Sequence, residues 1–248
     1  DGATGEIVWD TAIDSAAGEK GYSGFVALHG YASHTPVTDG ERVYAYFGKT
    51  GAVAVDIADG KVLWQAECGD GTHGFGTGAS PVLFEDTLIV NAGVESRTLV
   101  ALNKKTGEEV WRGGNINAAW NTPLLVETDN GTELVISMKG RIVAYDPKTG
   151  TDLWHCDGIT DYVCPSAVEH DGVIYAIGGR GRTGLAVKAG GRGDVTKTHR
   201  LYELDRGSNV SSPVYYNERL YWAHESNGIV YCANAKTGEI LYEKRLEP

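Results

Sequence analysis

An all-β fold built from repeated four-stranded antiparallel sheets is predicted for this 248-residue chain by three observations. One short phrase recurs five times, a series of prolines keeps nearly the same spacing, and each repeat contains four short runs of β-forming residues. The runs lack the apolar spacing of three and four residues that a helical repeat requires. Four antiparallel strands repeated roughly every 40–50 residues are typical of a β-propeller blade. The sequence therefore predicts a β-propeller.

The recurring phrase runs from a small residue through a hydrophobic strand, an Asp or Asn, and a turn ending in glycine, to an aromatic residue. It occupies residues 54–64, 101–111, 144–154 and 232–242, and the chain opens inside a further copy at residues 3–9. The spacing is 47 residues from Trp64 to Trp111, 43 from Trp111 to Trp154 and 88 from Trp154 to Tyr242. Since 88 is twice 44, a degenerate copy with a longer insertion is expected between Trp154 and Tyr242.

A series of prolines keeps a second, independent period. Their separations of 45, 42, 42 and 48 residues match the period of the aromatic phrase, and each is expected to open the first strand of a repeat. The series is Pro36, Pro81, Pro123, Pro165 and Pro213. Because the prolines and the aromatic phrase share one period, the sequence indicates a true structural repeat.

The blades follow from combining the two markers. Each repeat divides into four short strands separated by turn residues such as Asn217-Glu218 and Thr237-Gly238. We expect one β-propeller domain over residues 1–248, with residues 1–15 as the outer strand of a preceding or closing blade. The five complete blades are expected at residues 33–68, 78–114, 120–157, 162–205 and 210–246.

The phrase resembles the repeat of the PQQ-like, quinoprotein-type β-propeller family, and is most similar to BamB-like bacterial propeller proteins of unassigned role. The resemblance implies a ring of seven or eight blades, of which this chain supplies part, and export to the periplasm or cell envelope. It also implies that the alanine and the tryptophan of each phrase lock neighbouring blades together. By resemblance the blade-docking residues are Ala54, Trp64, Ala101, Trp111, Ala144, Trp154 and Tyr242, although the last copy departs from the Ala–Trp pattern with Cys232 and Tyr242 in those places.

Composition excludes some partners. The formal net charge is −11, which argues against nucleic acid because phosphate backbones are bound through clustered Lys and Arg. No run of about 18 apolar residues is present, so no transmembrane helix is predicted. The four cysteines include no Cys-x-x-Cys pair, which excludes a zinc ribbon, and buried free thiols are the favoured interpretation.

Candidate binding residues lie where the outer strand of one blade leads to the inner strand of the next, at one mouth of the predicted channel. They are His29, His34, His73, Trp120, Asn121 and Tyr162, with Arg180 and Arg182 as a local basic loop. A small ligand at the channel mouth is one interpretation. The alternative is that small polar residues line a crowded, water-filled channel and that the basic loop is simply solvated. The histidines lack the close pairing of a metal site, so no metal is expected.

Two classes of function stay open on the sequence. A non-catalytic scaffold would bind a protein or peptide partner on its loop face, as the BamB-like resemblance implies. The alternative is a PQQ-dependent dehydrogenase-like quinoprotein, or a propeller that binds a small molecule or glycan. By resemblance the quinoprotein needs a stacking tryptophan, in many members an adjacent cysteine pair, and Ca²⁺ held by acidic and amide side chains. Only Trp120 fits the first role, no Cys-Cys pair is present, and no catalytic residue is predicted.

Overall fold

A computed structural model describes residues 1–16, 27, 33–179, 181 and 183–247. These residues form twenty-one strands in five sheets, which confirms the all-β class and the repeat of four antiparallel strands. The chain divides into two compact units, residues 1–112 and 113–248, and each is described by itself. Within the described ranges, no helix combines the length and apolar character that crossing a bilayer requires.

The first unit contains two sheets whose strands pair in chain order. Sheet 1 consists of β1 (Val37–Thr38), β2 (Arg42–Tyr46), β3 (Ala52–Asp56) and β4 (Val62–Ala66). Sheet 2 consists of β5 (Val82–Phe84), β6 (Thr87–Ala92), β7 (Thr98–Asn103) and β8 (Glu109–Gly113). A short 3-10 turn, Gly48–Thr50, links β2 to β3. Both sheets fall inside the predicted blades.

The second unit contains three sheets with the same order. Sheet 3 consists of β9 (Leu124–Thr128), β10 (Gly131–Met138), β11 (Gly140–Tyr145) and β12 (Asp152–Ile159). Sheet 4 consists of β13 (Val168–His170), β14 (Val173–Gly178), β15 (Thr183–Lys188) and, after the short β16 (Gly193–Asp194), β17 (Arg200–Leu204). Sheet 5 consists of β18 (Val214–Tyr216), β19 (Arg219–His224), β20 (Ile229–Asn234) and β21 (Ile240–Arg245).

Burial explains why the two middle strands of a sheet differ in sequence from its outer strand. Four consecutive residues of β3 and of β7 are buried, so these strands read as continuous apolar runs. In β4 and β8 only the central tryptophan is buried, and its neighbours are exposed. The core of each unit therefore lies between sheets, where the middle strands contribute both faces and the outer strand contributes one aromatic side chain.

The turn of the repeated phrase has one conformation throughout. In sheet 2 the Asn103 side chain accepts hydrogen bonds from the Lys105 and Thr106 amides, at 2.9 and 3.1 Å, and the Gly107 amide donates to the Asn103 carbonyl. Gly107 has a φ of 77°, which favours glycine. Asp56, Asp146 and Asn234 cap their turns in the same way. The phrase is therefore a side-chain-capped turn that only Asp or Asn followed by Gly can make at low cost.

The aromatic residue that ends the phrase docks on the glycine turn of the next sheet. The Trp64 ring covers Gly107, and its Nε1 donates to the Lys104 carbonyl at 3.0 Å. Tyr202 of sheet 4 covers Gly238 of sheet 5, and its hydroxyl donates to the Ala235 carbonyl at 2.6 Å. Each contact buries an aromatic face and satisfies its polar atom.

The alanines of the phrase stand directly opposite these aromatic residues. Ala54 pairs with Trp64 and Ala144 with Trp154 across neighbouring strands, and the pairing register shifts after each alanine. Cys232 and Tyr242 keep the same pairing in sheet 5, although Tyr242 is 46% exposed. Ala101 and Trp111 are both buried, on the neighbouring strands β7 and β8.

Residues 1–16 follow the phrase without forming the expected outer strand. Asp1 caps the turn, Gly5 has a φ of 73°, and Trp9 then docks on Gly60 of sheet 1 with its Nε1 donating to the Ile57 carbonyl at 2.9 Å. No strand is assigned within residues 1–16. Among the described residues no neighbouring strand offers a ladder of backbone hydrogen bonds to this segment, so side chains alone hold it.

The degenerate fourth repeat uses its insertion to cover sheet 3. Strand β16 pairs in parallel with β12, which makes sheet 3 five-stranded instead of four-stranded. Beneath it, the carboxylate of Glu133, which is 1% exposed, accepts from Trp154 Nε1 at 2.7 Å and from the Gly190 amide and Arg192 at 3.1 Å. The acceptor for Trp154 is therefore Glu133 of β10 in the same sheet, and the insertion contributes the Gly190 amide and Arg192 that hold this carboxylate in place.

The proline series is out of phase in the fourth repeat. Val168 opens β13 as Val82 opens β5, so Ala167, not Pro165, stands before the first strand. Ser166 takes the place of the Thr or Ser that precedes the other prolines. Its hydroxyl accepts from the Thr122 amide at 3.1 Å and its amide donates to the Ser212 hydroxyl at 3.0 Å, while Thr35 and Ser80 form the same link in the first unit. These bonds between first strands define the true phase.

Candidate functional site

Each sheet has a loop end, formed by the segment before its first strand and the loop between its second and third strands. The hairpins joining first to second and third to fourth strands lie at the opposite, hairpin end, because the strands are antiparallel. The described candidates from the sequence, His34, His73, Trp120, Asn121 and Tyr162, all belong to loop-end segments. His29, Arg180 and Arg182 lie outside the described residues.

In the first unit, His34 is buried at the start of sheet 1. It is 9% exposed, and its ring packs edge-on against Tyr46 with centroids 4.9 Å apart. Its Nε2 lies 3.4 Å from the Thr77 hydroxyl, whereas Nδ1 has no hydrogen-bond partner among the described residues. Burial lowers the pKa of His34 from 6.5 to about 4, so the imidazole is neutral at physiological pH.

Glu95 joins this buried group from the loop between β6 and β7. It is 5% exposed, and burial raises the pKa of its carboxyl. Tyr46 and Thr77 lie close enough to the carboxyl to lower that pKa in part, yet neither Glu95 Oε2 nor the Tyr46 hydroxyl makes a hydrogen bond of normal geometry with a described residue. We name His34, Tyr46, Thr77 and Glu95 the buried polar cluster.

A small recess opens beside the buried polar cluster. It has a volume of about 10 Å³, and its walls are Lys49, Gly71, Thr72, His73, Gly76, Thr77, Val94 and Glu95. Gly48, with a φ of 57°, lies so close that a Cβ there would stand 2.6 Å from Thr77 Cγ2 and 3.0 Å from Glu95 Oε1. The close approach of this glycine helps to shape the recess and requires that no side chain be present.

His73 and Phe75 stand on the loop that covers the recess. Their rings are 5.2 Å apart, Phe75 is 38% exposed, and the Phe75 amide donates to His73 Nδ1 at 3.2 Å. The Gly71 amide donates to the Glu95 carbonyl at 2.9 Å, which fastens the loop to sheet 2. The loop therefore presents an aromatic side chain to solvent from an anchored backbone.

In the second unit, Trp120 and Tyr162 meet edge-on with ring centroids 6.0 Å apart. The Tyr162 hydroxyl donates to the side-chain oxygen of Asn209. Asn121 is 1% exposed and donates to the backbone carbonyls of Ser137 and Val163. Trp120 and Tyr162 thus form a partly buried pair at the loop end of this unit, while Asn121 joins backbone segments and is not presented to a ligand.

Glu95 and Tyr46 are functional candidates that the sequence did not indicate. Tyr46 reads as an ordinary strand residue in an alternating run, and Glu95 stands among the Gly, Ser and Arg residues of a turn. The available signal was position, because Glu95 follows the second strand, and in an antiparallel sheet that loop lies at the same end as the segment that carries His34. Its burial depends on the packing of sheet 1 against sheet 2, which local pattern does not show.

The described residues do not fit PQQ with Ca²⁺. All four cysteines are free thiols, and Trp120, the one stacking candidate from the sequence, packs edge-on against Tyr162. Across the described ranges, no three or more His, Cys, Asp or Glu side chains are grouped as metal ligands. Ca²⁺ takes about six to eight oxygen ligands. No step is therefore assigned to a quinone here.

Two larger clefts open at the hairpin end of the second unit, where no candidate was predicted. One has a volume of about 520 Å³ between the turns at residues 127–130 and 171–173, beside Lys188 to Gly190. The other, about 430 Å³, contains the stacked rings of His170 and Tyr215, whose centroids are 4.0 Å apart. They lack the buried unpaired polar atoms found at the loop end of the first unit.

Comparison with known proteins places the chain in a family. BamB of Yersinia pestis, an outer membrane protein assembly factor, is 21% identical over 252 residues, covering 96% of this chain and 61% of the relative. The crystal structure of BamB from Moraxella catarrhalis superposes with a TM-score of 0.64 at 19% identity, covering 86% of this chain and 61% of that one. Quinohemoprotein alcohol dehydrogenase from Comamonas testosteroni superposes with a TM-score of 0.61 at 14% identity, covering 88% of this chain and 43% of that one.

These structural neighbours share the fold, which confirms the β-propeller class, and their low identities carry nothing further. The chain spans about three fifths of the length of the BamB relatives it matches. The family model described as outer membrane protein assembly factor BamB matches residues 1–244, nearly the whole sequence. The chain therefore belongs to the BamB family of PQQ-like β-propellers.

Proposed function

We propose that this chain is a non-catalytic scaffold of the bacterial cell envelope that binds a protein or peptide partner through its loop end. The observation that carries the proposal is the match of the BamB family model to residues 1–244. The matching relative from Yersinia pestis is named an outer membrane protein assembly factor, so a protein of outer-membrane assembly is the expected class of partner. The work of such a scaffold is recognition, and no cofactor is required for it.

The loop that carries Phe75 is the contact surface that the geometry favours in the first unit. Aromatic side chains dominate the energy of many protein interfaces when they are held rigidly and can be fully covered. Phe75 is exposed, it lies against His73, and the backbone on either side is held by hydrogen bonds to Glu95 and within the loop. A partner would cover this ring without first having to order the loop.

Co-purification of the partner tests the proposal. The tagged chain is expressed in its own cell type, and proteins recovered with the wild type are compared with those recovered with Phe75→Ala. We expect this change to reduce recovery of an outer-membrane assembly protein by at least about tenfold, the scale of an interface hot spot. Leu201→Ala is the matched control, because Leu201 is 42% exposed but lies on the outer strand β17. Equal recovery with both variants would argue against the loop surface.

The quinoprotein alternative is tested separately on the purified chain. PQQ and Ca²⁺ are added together while visible absorbance and thermal unfolding are followed. A cofactor-free scaffold should show no change in either quantity at saturating cofactor. A rise in the unfolding temperature with a new absorbance band would favour the alternative.

A further inference from the structure

The buried polar cluster contains more hydrogen-bond acceptors than donors. When the Nε2 of the neutral His34 carries the ring proton and donates to Thr77, its Nδ1 becomes an acceptor. Glu95 Oε2 is a second acceptor. The Tyr46 hydroxyl, which is both donor and acceptor, lies near the Glu95 carboxyl, but neither atom, nor His34 Nδ1, makes a hydrogen bond of normal geometry with a described residue. The side chains are 9%, 5% and 1% exposed respectively, so solvent gives them little compensation.

An unpaired polar atom in such a place is costly. Leaving a buried acceptor without a donor costs on the order of 1–3 kcal/mol, and an unpaired buried carboxylate costs more. Natural structures seldom keep several such atoms together unless something else pairs with them. The cluster therefore lacks a group with several donors, and a positive charge on that group would also neutralise Glu95.

The size of the recess limits what this group can be. About 10 Å³ is close to the space that one water-sized group needs. A primary ammonium is compact and carries three N–H donors, whereas a guanidinium is planar and larger. The recess also reaches the surface beneath His73, so a group on a flexible stem can enter it.

We propose that the recess beside Glu95 binds a primary alkylammonium group, with Glu95 on its wall as the charged acceptor, next to His34 and Tyr46 of the buried polar cluster. Its source is a lysine side chain of the partner protein or a free amine. The lysine source rests on the proposed scaffold function, while the free-amine source does not. The formal net charge of −11 favours both, because it attracts cations to the chain.

The surrounding charges set how binding depends on pH. Lys49 lines the recess and opposes a second cation, and Arg112 and Cys68 lie behind the cluster, where both influence Tyr46. His73 lies at the entrance. Because burial raises the pKa of Glu95, the proton competes with the ammonium at mildly acidic pH. Affinity should therefore rise with pH as Glu95 ionises.

Binding is measured on the purified chain by following the ring signals of His34 in NMR spectra. The probes are methylammonium, N-acetyl-lysine methylamide and tetramethylammonium, each as its chloride at constant ionic strength. Methylammonium and the lysine derivative distinguish a free amine from a side chain of a partner. Tetramethylammonium has the same charge but no N–H donor, so it should not bind. No saturable shift with either of the first two probes would overturn the proposal, as would equal binding of tetramethylammonium.

Variants separate the site from general electrostatic attraction. Glu95→Gln keeps the size of the side chain and removes its charge, and should weaken binding at least about tenfold, as expected for a hydrogen-bonded charge. Glu67→Gln is the matched control, since Glu67 is an exposed carboxylate in the same unit. If Glu95→Gln fails to fold, Tyr46→Phe tests the hydroxyl, and the pH dependence of the wild type tests the carboxylate. Unchanged binding in Glu95→Gln contradicts the assignment.

Lys49→Met removes the lysine on the wall of the recess. We expect it to bind methylammonium a few-fold more tightly than the wild type, because one repulsion is lost. Binding in Lys49→Met but not in the wild type would mean that the chain's own lysine occupies the cluster, and would overturn the proposal. All of these measurements use the isolated chain, so they can succeed or fail independently of partner co-purification.

Discussion

The docking of Trp64 on Gly107 can be tested by adding a single methyl group. A Cβ at residue 107 would stand 2.8 Å from two carbons of the Trp64 ring and 3.0 Å from a third. Real Cβ atoms are not found that close to a carbon neighbour, and the ring is 9% exposed with its Nε1 bonded to the Lys104 carbonyl. In Gly107→Ala the indole must therefore move, and its packing and its hydrogen bond are disturbed together.

The expected loss of stability has three parts. Alanine at a positive φ costs about 1 kcal/mol, overpacking a filled contact costs about 1–3 kcal/mol, and the disturbed hydrogen bond costs about 1 kcal/mol. Gly107→Ala should thus lower the free energy of unfolding by about 3–5 kcal/mol. Gly40 has a φ of 90° in the same unit, and nothing lies within 4 Å of where its Cβ would be. Gly40→Ala should therefore cost only about 1 kcal/mol.

Urea unfolding followed by tryptophan fluorescence and circular dichroism measures this difference. If the two signals give separate transitions, the one that reports on residues 1–112 is compared. We expect Gly107→Ala to lower the midpoint clearly more than Gly40→Ala does. Equal shifts would refute it, because they would show that only backbone strain matters and that the contact with Trp64 contributes nothing.

Three further predictions concern buried polar groups and thiols. Glu133→Gln should lower the free energy of unfolding, measured in urea, by about 2–3 kcal/mol, because three donors lose a charged acceptor. Arg192→Ala should cost less, because Arg192 is half exposed. Negligible effects of both changes would contradict the role of the insertion. His34 has a pKa of about 4 when folded against 6.5 as its ordinary value, so it contributes stability above pH 6.5 that is lost as pH falls toward 4, about 3 kcal/mol at 1.36 kcal/mol per unit. His34→Gln should flatten the fall of the unfolding temperature across that window, and an unchanged pH profile would refute it. Burial raises the pKa of three thiols, that of Cys68 to about 12 and those of Cys156 and Cys164 to about 11. A thiol reagent at pH 8 should therefore react slowly with the folded chain, and after denaturation it should react quickly with all four thiols. Rapid reaction with the folded chain would contradict the burial.

Most of the fold could be predicted because its signals are local. The turn of the repeated phrase is capped by a side chain two or three residues away, and the glycine conformation is fixed within the turn itself. The turn residues predicted for the last repeat, Asn217-Glu218 and Thr237-Gly238, lie between β18 and β19 and between β20 and β21 of sheet 5. A pattern that is both local and repeated can be read from one sequence.

The differences arise where contacts between sheets decide the outcome. Pro165 resembles the other prolines, but the links through Ser166 and Ser212 set the first strand two residues later. Strand β16 covers Trp154, which has no glycine turn to dock on. The bonds that Glu133 accepts from Trp154 and from Gly190 join residues far apart in the sequence. Neither effect leaves a periodic trace in the sequence.

The candidate site shows the same division. Position alone indicated His34, and the structure places it in the buried polar cluster, 9% exposed. Glu95 was missed because acidic residues in turns are usually solvated, and only the packing of Gly48 and Thr77 against it makes this one different. Asn121 was a ligand candidate from its type and position, yet its amide is used by the backbone of Ser137 and Val163.

The most direct test of the scaffold function is photo-cross-linking in living cells. A benzophenone amino acid is placed at residue 75, on the loop end, or at residue 129, an exposed position at the hairpin end of sheet 3. We expect position 75 to cross-link to a protein of outer-membrane assembly and position 129 not to do so. Cross-links at position 129 alone, or none at position 75 in cells that contain the partner, would contradict it.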